Sequence, residues 1–248
     1  MRPSGPARRA LSAMGVLAVL LGSSDSAGSH RAEEPRRREG PPARGTSNRP
    51  APPQVKAMSN LTHVPLSRLQ VTEGRMAAGS DEQMVVDGPR MRAVLPGSST
   101  SVVELRFTVL GPSAVQLPLA SGELRQQVGL KLLSEDACNV LYAMWRVAPK
   151  PGIVVNYKRN PGLHTSRECG NRGYVIVRPE QKTPVSAPAV GVPHTLRAQL
   201  DGALLRIWAD GTLAWQGAIP AEAPLVGAPV GMRSDNLRLS LQLHAPVR

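Results

Sequence analysis

The chain has 248 residues, a formal net charge of +12, two Cys, 24 Pro and only 3% aromatic side chains. Residues 1–56 hold ten basic against four acidic residues and the remainder twenty against fourteen, so half of the excess charge lies outside the prospective core. The basic residues of the second part stand singly between apolar positions rather than in runs interleaved with aromatics, which argues against nucleic acid as a partner.

At the start of the chain, Arg2, Arg8 and Arg9 precede an apolar run from Ala10 to Gly22, followed by the small residues Ser26, Ala27 and Gly28. A run of that length is too short to span a bilayer and has the layout of a secretory signal peptide, taken here as residues 1–28. A secreted or periplasmic location follows, with no stable membrane insertion after cleavage. Residues 29–56 are rich in Arg, Pro and Gly and nearly free of large apolar side chains. Such a segment cannot bury enough surface to offset its ordering entropy and reads as a disordered basic linker. Residues 57–248 suffice for one domain with a single core.

Within that domain the predicted strands follow in close order: Gln83 to Asp87, Arg90 to Leu95, Ser101 to Leu110, Ala114 to Leu119, Leu124 to Leu133, Cys138 to Val147, Gly152 to Lys158 and Gly173 to Arg178. In the third, Val103, Leu105, Phe107 and Val109 share one face while Glu104, Arg106 and Thr108 share the other, the signature of a half-buried strand. Turn residues such as Pro96-Gly97 and Asn160-Pro161-Gly162 punctuate the runs. No window of helical length holds a convincing 3.6-residue period. The Pro-rich stretch Pro184 to Pro193 is expected to cross from one sheet to another.

The two cysteines, Cys138 and Cys169, form the only possible disulfide, which export favours. A two-cysteine metal site completed by His164 is the other reading, but its spacing matches no zinc pattern. The segment the pair brackets concentrates aromatic and polar side chains. Tyr142, Arg146, Tyr157, His164, Arg167 and Arg172 are the candidate ligand-binding residues: rings offer stacking platforms for sugars, and guanidinium and imidazole groups bond hydroxyls or acidic groups. Core filling is the competing use of the rings, above all for Trp145.

From His194 to Gly217 the chain reads as three short strands joined by Asp201-Gly202 and Asp210-Gly211, the strongest short-range hairpin signal. A fourth strand follows Gly231, with Leu237, Leu239, Leu241 and Leu243 alternating with Arg238, Ser240, Gln242 and His244. The whole pattern predicts an all-β domain, a two-sheet antiparallel β-sandwich of jelly-roll type. Asp201 and Asp210 are explained by their turns; Asp235 is the one aspartate to test for Ca²⁺.

The block from His194 to Leu243, with Val230-Gly231-Met232-Arg233-Ser234 opening its last strand, resembles the concanavalin A-like lectin and glucanase superfamily, particularly its laminin G-like and 3-keto-disaccharide hydrolase-like members. The resemblance implies a jelly roll and either carbohydrate binding or glycoside cleavage. The Glu-x-Asp-x-Glu-like strand of the retaining glucanases is missing, because Glu135-Asp136 are adjacent and point to opposite faces. The leading expectation is therefore a non-catalytic module binding a glycan or cell-envelope polymer, without catalytic residues, metal or cofactor. A glycoside-cleaving enzyme with His164 or Glu168 as acid/base, and a structural or adhesion module, are the alternatives.

Overall fold

In the computed structural model, which describes residues 61–223 and 227–246, the predicted alternation is realised in Val102–Pro112, in Leu204–Ala209 and over 237–243. The segments read as signal peptide and linker lie outside the described residues. The strands are β1 (Thr62–Val64), β2 (Gln70–Glu73), β3 (Ala77–Ala78), β4 (Met84–Val94), β5 (Val102–Pro112), β6 (Gln126–Leu132), β7 (Val140–Ala148), β8 (Gly152–Lys158), β9 (Tyr174–Ile176), β10 (Gln181–Lys182), β11 (Pro193–Asp201), β12 (Leu204–Ala209), β13 (Thr212–Ala218) and β14 (Gly231–Ala245). Helix among the described residues is confined to a 3₁₀ turn at Leu66–Arg68 and one turn, α1, at Ser166–Cys169.

The named strands pair antiparallel throughout. One layer runs β9-β8-β7-β6-β14-β4-β2 and the other β10-β13-β12-β11-β5-β14-β4-β3, so β4 and β14 belong to both. They change layer at one level: Asn236, in left-handed backbone at φ +56°, is skipped by the β4 ladder opposite Pro89. Asn236 is fully buried and pins the bend. Its Nδ2 donates to the carbonyls of Leu117 (2.9 Å) and Arg125 (3.0 Å), and its Oδ1 accepts from the Leu117 amide (2.8 Å). Two of those bonds take the amide and carbonyl of Leu117, in the stretch predicted as a strand from Ala114 to Leu119, which is a loop instead.

The inner faces of both layers fill one core: Leu105, Phe107, Leu196, Leu205 and Ile207 from one side, Leu130, Leu141, Trp145, Ile153 and Val155 from the other. Phe107 and Trp145 meet edge-on across the layers, with centroids 5.8 Å apart. Trp145 is thus a core ring, its indole N–H donating to the Ser186 carbonyl (2.9 Å). The four leucines of β14, Leu237, Leu239, Leu241 and Leu243, are buried as their alternation requires.

The β11-β12-β13 meander has its predicted turns with one shift of register. Asp210 and Gly211 both take positive φ between the paired residues Ala209 and Thr212, as a type I′ turn demands. The other turn centres on Gly202-Ala203, because Asp201 itself pairs with Leu204 and only Gly202 turns to positive φ. The Pro184 to Pro193 stretch is also corrected. It links β10 to β11 within one layer, and the crossing between layers occurs earlier, between β9 and β10.

Candidate functional site

The β9-β8-β7-β6-β14-β4 layer turns a polar face away from the core. Register assembles it in rows: Arg90, Asp235, Gln127 and Arg146 in one; Arg92, Arg233, Gly129 and Met144 in the next; Gly231, Lys131, Tyr142 and Asn156 in a third; Val140, Lys158 and Tyr174 in a fourth. Leu130 and Leu132 point inward on either side of Lys131, which leaves Lys131 on the outward face, while Val140, Tyr142 and Met144 of β7 form a small buried cluster of their own on that face. Over this face lies a cleft of about 750 Å³ whose floor includes Arg92, Lys131, Tyr142, Lys158, Tyr174 and Arg233. Loops at 96–97, 118–120, 134–137 and 166–171 wall it.

Charge in the floor is organised around Asp235. Its carboxylate is fully buried and accepts from Arg233 Nε (2.9 Å), Arg92 Nη2 (3.1 Å) and Gln127 Nε2 (2.6 Å). Burial alone would raise its pKa, but the Arg233 and Arg92 guanidiniums overcome it and hold it below the usual carboxylate range. Burial likewise works against the charge on Arg233, yet Asp235 raises its pKa further above the ordinary arginine value. With both its oxygens given to these donors, Asp235 serves as an arginine anchor and not as a Ca²⁺ ligand. Glu73 reaches Arg92 (3.3 Å) and Arg90 (3.8 Å) from β2.

Lys131 is different. It is 4% exposed, lines the cleft, and has no hydrogen-bond or ion-pair partner among the described residues. Burial, then the neighbouring Arg92 and Arg233, lowers its pKa from 10.5 to about 8.

The aromatic part of the floor is a stack. Tyr142 lies under Tyr174, rings 26° apart with centroids at 6.3 Å, and the Arg233 guanidinium sits 4.8 Å from the Tyr142 centroid. Tyr142 is buried, and that burial pushes its hydroxyl up to about 12. Tyr174, on the edge strand β9, is 41% exposed and presents its ring to the cleft. The Lys158 ammonium lies 5.4 Å from that ring and donates to the carbonyls of Gly170 (2.7 Å) and Ala137 (3.2 Å).

Those carbonyls belong to the wall that the disulfide fastens. Cys138 and Cys169 are joined, with Cα atoms 5.9 Å apart, tying the start of β7 to the end of α1. Asp136 accepts from the amides of Cys138 and Asn139 and from His164 Nδ1 (2.7 Å), and α1 begins in a capping box between Thr165 and Glu168. Backbone N–H groups of Thr165 and His164 hold the Glu168 carboxyl down at about 2.

No protein-family model and no curated protein matches the sequence. Among solved structures the chain is similar to the carbohydrate binding module CBM66 from Bacillus subtilis: 16% identity, TM-score 0.50, covering 76% of this chain and 99% of that one. The fold is the concanavalin A-like jelly roll. A β-glucanase from Bacillus licheniformis (12% identity, 76% and 98% covered, TM-score 0.46) and a Caenorhabditis elegans galectin (10%, 73% and 99%, TM-score 0.38) are more distant matches.

On this jelly roll the sequence-predicted residues separate. Tyr142 lies in the cleft floor. Arg146 shares its face at the far row, half-buried, with its pKa lowered by burial and by Arg125. Tyr157 points the other way, into the core, because it alternates with Lys158 on β8; its hydroxyl donates to Glu222 (3.4 Å). His164 is exposed behind the wall and does not line the cleft; its ring pairs with Asp136 (2.7 Å) and its backbone N–H donates to Glu168. Arg167 is exposed on α1, and Arg172 turns back to donate to the Glu168 carbonyl (2.6 Å), so neither lines the cleft. Sequence reasoning missed Arg92, Lys131, Tyr174 and Arg233 as site residues. The available signal was parity: Lys131 alternates with Leu130 and Leu132, and Arg233 with Met232 and Ser234, which aims each charge at the solvent face.

Proposed function

We propose that the chain is an exported, non-catalytic glycan-binding module whose site is the cleft over β6, β7, β8, β9 and β14. One observation carries this reading: a partly exposed ring, Tyr174, stacked on a buried one, with the Lys158 ammonium 5.4 Å from its centre and Arg233 at its hydroxyl, inside a cleft of about 750 Å³. A flat apolar surface with hydrogen-bond donors at its edge is what a pyranose face and its equatorial hydroxyls require. The carbohydrate-binding fold it shares with CBM66 is consistent with that use. The carboxylates that line the cleft are engaged elsewhere: Glu73 with Arg90 and Arg92, Glu135 with Arg159, Asp136 with His164 and two backbone amides. Since its hydrogen bonds to His164, Cys138 and Asn139 outweigh burial and depress the Asp136 pKa, it is a poor proton donor, which supports binding over glycoside cleavage.

A glycan array probed with the purified chain and with Tyr174→Ala tests this. Loss of a stacking ring is expected to weaken retention about tenfold or more in a protein that still folds, while Arg167→Ala on the outside of the wall binds as the parent does. Retention unaltered by Tyr174→Ala, or no glycan retained at all, would remove the assignment.

A further inference from the structure

The cleft holds more positive charge than its own carboxylates neutralise. Arg90, Arg92, Lys131, Lys158 and Arg233 line it, and the acidic groups that reach these cations directly are Glu73 and the buried Asp235. Arg92 stands directly opposite Arg233 across β4 and β14, a like-charge pair that costs stability unless an anion lies between. Asp235 supplies that anion from beneath, yet Arg92 Nη1 remains buried without a partner. Lys131, one row away, is buried along its stem and lines the cleft, with no hydrogen-bond or ion-pair partner among the described residues; Glu73 and Asp136 act on it only from a distance, so its charge is left for an anion that enters the cleft.

We infer that the cleft selects an acidic glycan, one carrying carboxylate or sulfate groups, with Lys131 at the floor pairing the anion while Tyr174 stacks on the same or the adjacent sugar. The inference rests on the glycan-binding reading of the cleft and adds the ligand's charge class. Geometry places the two functions one row apart, since Lys131 pairs across the sheet with Tyr142, which lies under Tyr174. The surroundings of Lys131 are uniform in this respect: Arg92 and Arg233 face it from β4 and β14, Tyr142 from β7, and the nearby carboxylates are Glu73 on β2 and Asp136 in the wall.

The test measures affinity of the full chain and of Lys131→Met, which keeps the apolar stem and drops the charge. Paired polymers serve as probes: polygalacturonate against its fully methyl-esterified form, and dextran sulfate against dextran. The expected result is that at least one acidic polymer binds more tightly than its neutral partner, and that Lys131→Met loses about tenfold or more of that preference. The polygalacturonate and dextran sulfate arms distinguish a carboxylate from a sulfate ligand. Because the basic residues of 29–56 are common to both proteins, their attraction to polyanions cancels in the comparison. The preference should also fade as pH rises through about 8, where Lys131 loses its proton and the arginines do not. Equal binding of each acidic and neutral pair, or an acid preference untouched by Lys131→Met, would overturn the inference while leaving glycan binding in place. Binding of none of the four polymers, together with a blank glycan array, would sink the underlying reading. A Lys131-dependent preference for single-stranded DNA over every acidic glycan would reassign the site to a phosphodiester polymer.

Discussion

A lysine with no partner under a protein surface is a stability cost whose pH dependence can be predicted in sign. Lys131 has a folded pKa of about 8 against 10.5 ordinarily, so between those values the unfolded chain holds the proton more often. Stability contributed at this position therefore rises as pH increases from about 8 to 10.5, by roughly 3 kcal/mol in all. Urea unfolding of the chain and of Lys131→Met across that range checks it: the gap between the two, widest at neutral pH in favour of the Met variant, should close toward pH 10.5. Comparing the two proteins isolates Lys131 from Tyr142, whose raised pKa has the opposite effect above pH 10. At the residue scale, Tyr142 was legible in the sequence because it lies in the cysteine-bracketed segment that concentrates the aromatic rings. Lys131 and Arg233 were not, since a single charge among leucines reads as an ordinary solvated face until register gathers five such charges over one cleft.

Elements were the most legible level, and their exceptions have local causes. Alternation located β5, β6, β7 and the meander, because a half-buried strand must repeat every two residues. It failed at Ala114 to Leu119, whose backbone groups bond to Asp87, Ser113, Asn236 and Glu123 rather than to the backbone of a neighbouring strand. Asn236 itself gave no signal in a run reading Ser-Asp-Asn. Replacing it with Ala removes three hydrogen bonds from a buried site and leaves a Cβ residue at φ +56°, for an expected loss of about 2–4 kcal/mol. Chemical denaturation of Asn236→Ala measures this, and a loss below about 1 kcal/mol would mean that the β4 and β14 bend holds without its side chain. The wall element α1 depends on Glu168, held at about 2 by backbone donors. That stabilisation is present above the ordinary glutamate pKa of 4.5 and disappears as pH falls toward 2, so amide exchange in 165–170 should quicken over that range before β14 opens.

For the whole molecule, the jelly roll was readable from strand count and turn chemistry, whereas the position of its site was not. Which face of a strand meets the core depends on the opposite layer where both faces are apolar, as on β7, with Val140, Tyr142 and Met144 on one face and Leu141, Ala143 and Trp145 on the other. The disulfide joins fold to site, since it fastens the wall carrying the carbonyls that hold Lys158. In the chain-entropy account, closing this loop contributes about 3.5 to 4 kcal/mol. A Cys138→Ser/Cys169→Ser variant should unfold at correspondingly lower urea concentration, and bind acidic glycan more weakly even where it remains folded.

The cleft over β6, β7, β8, β9 and β14 is the proposed binding surface. A titration of the isotope-labelled full chain with an oligogalacturonide, followed by NMR, tests that most directly. Saturable shifts should gather at Lys131, Tyr142, Tyr174 and Gly231–Asp235 while the β11-β12-β13 meander stays still; saturable shifts centred on the meander, with the cleft unmoved, would contradict it.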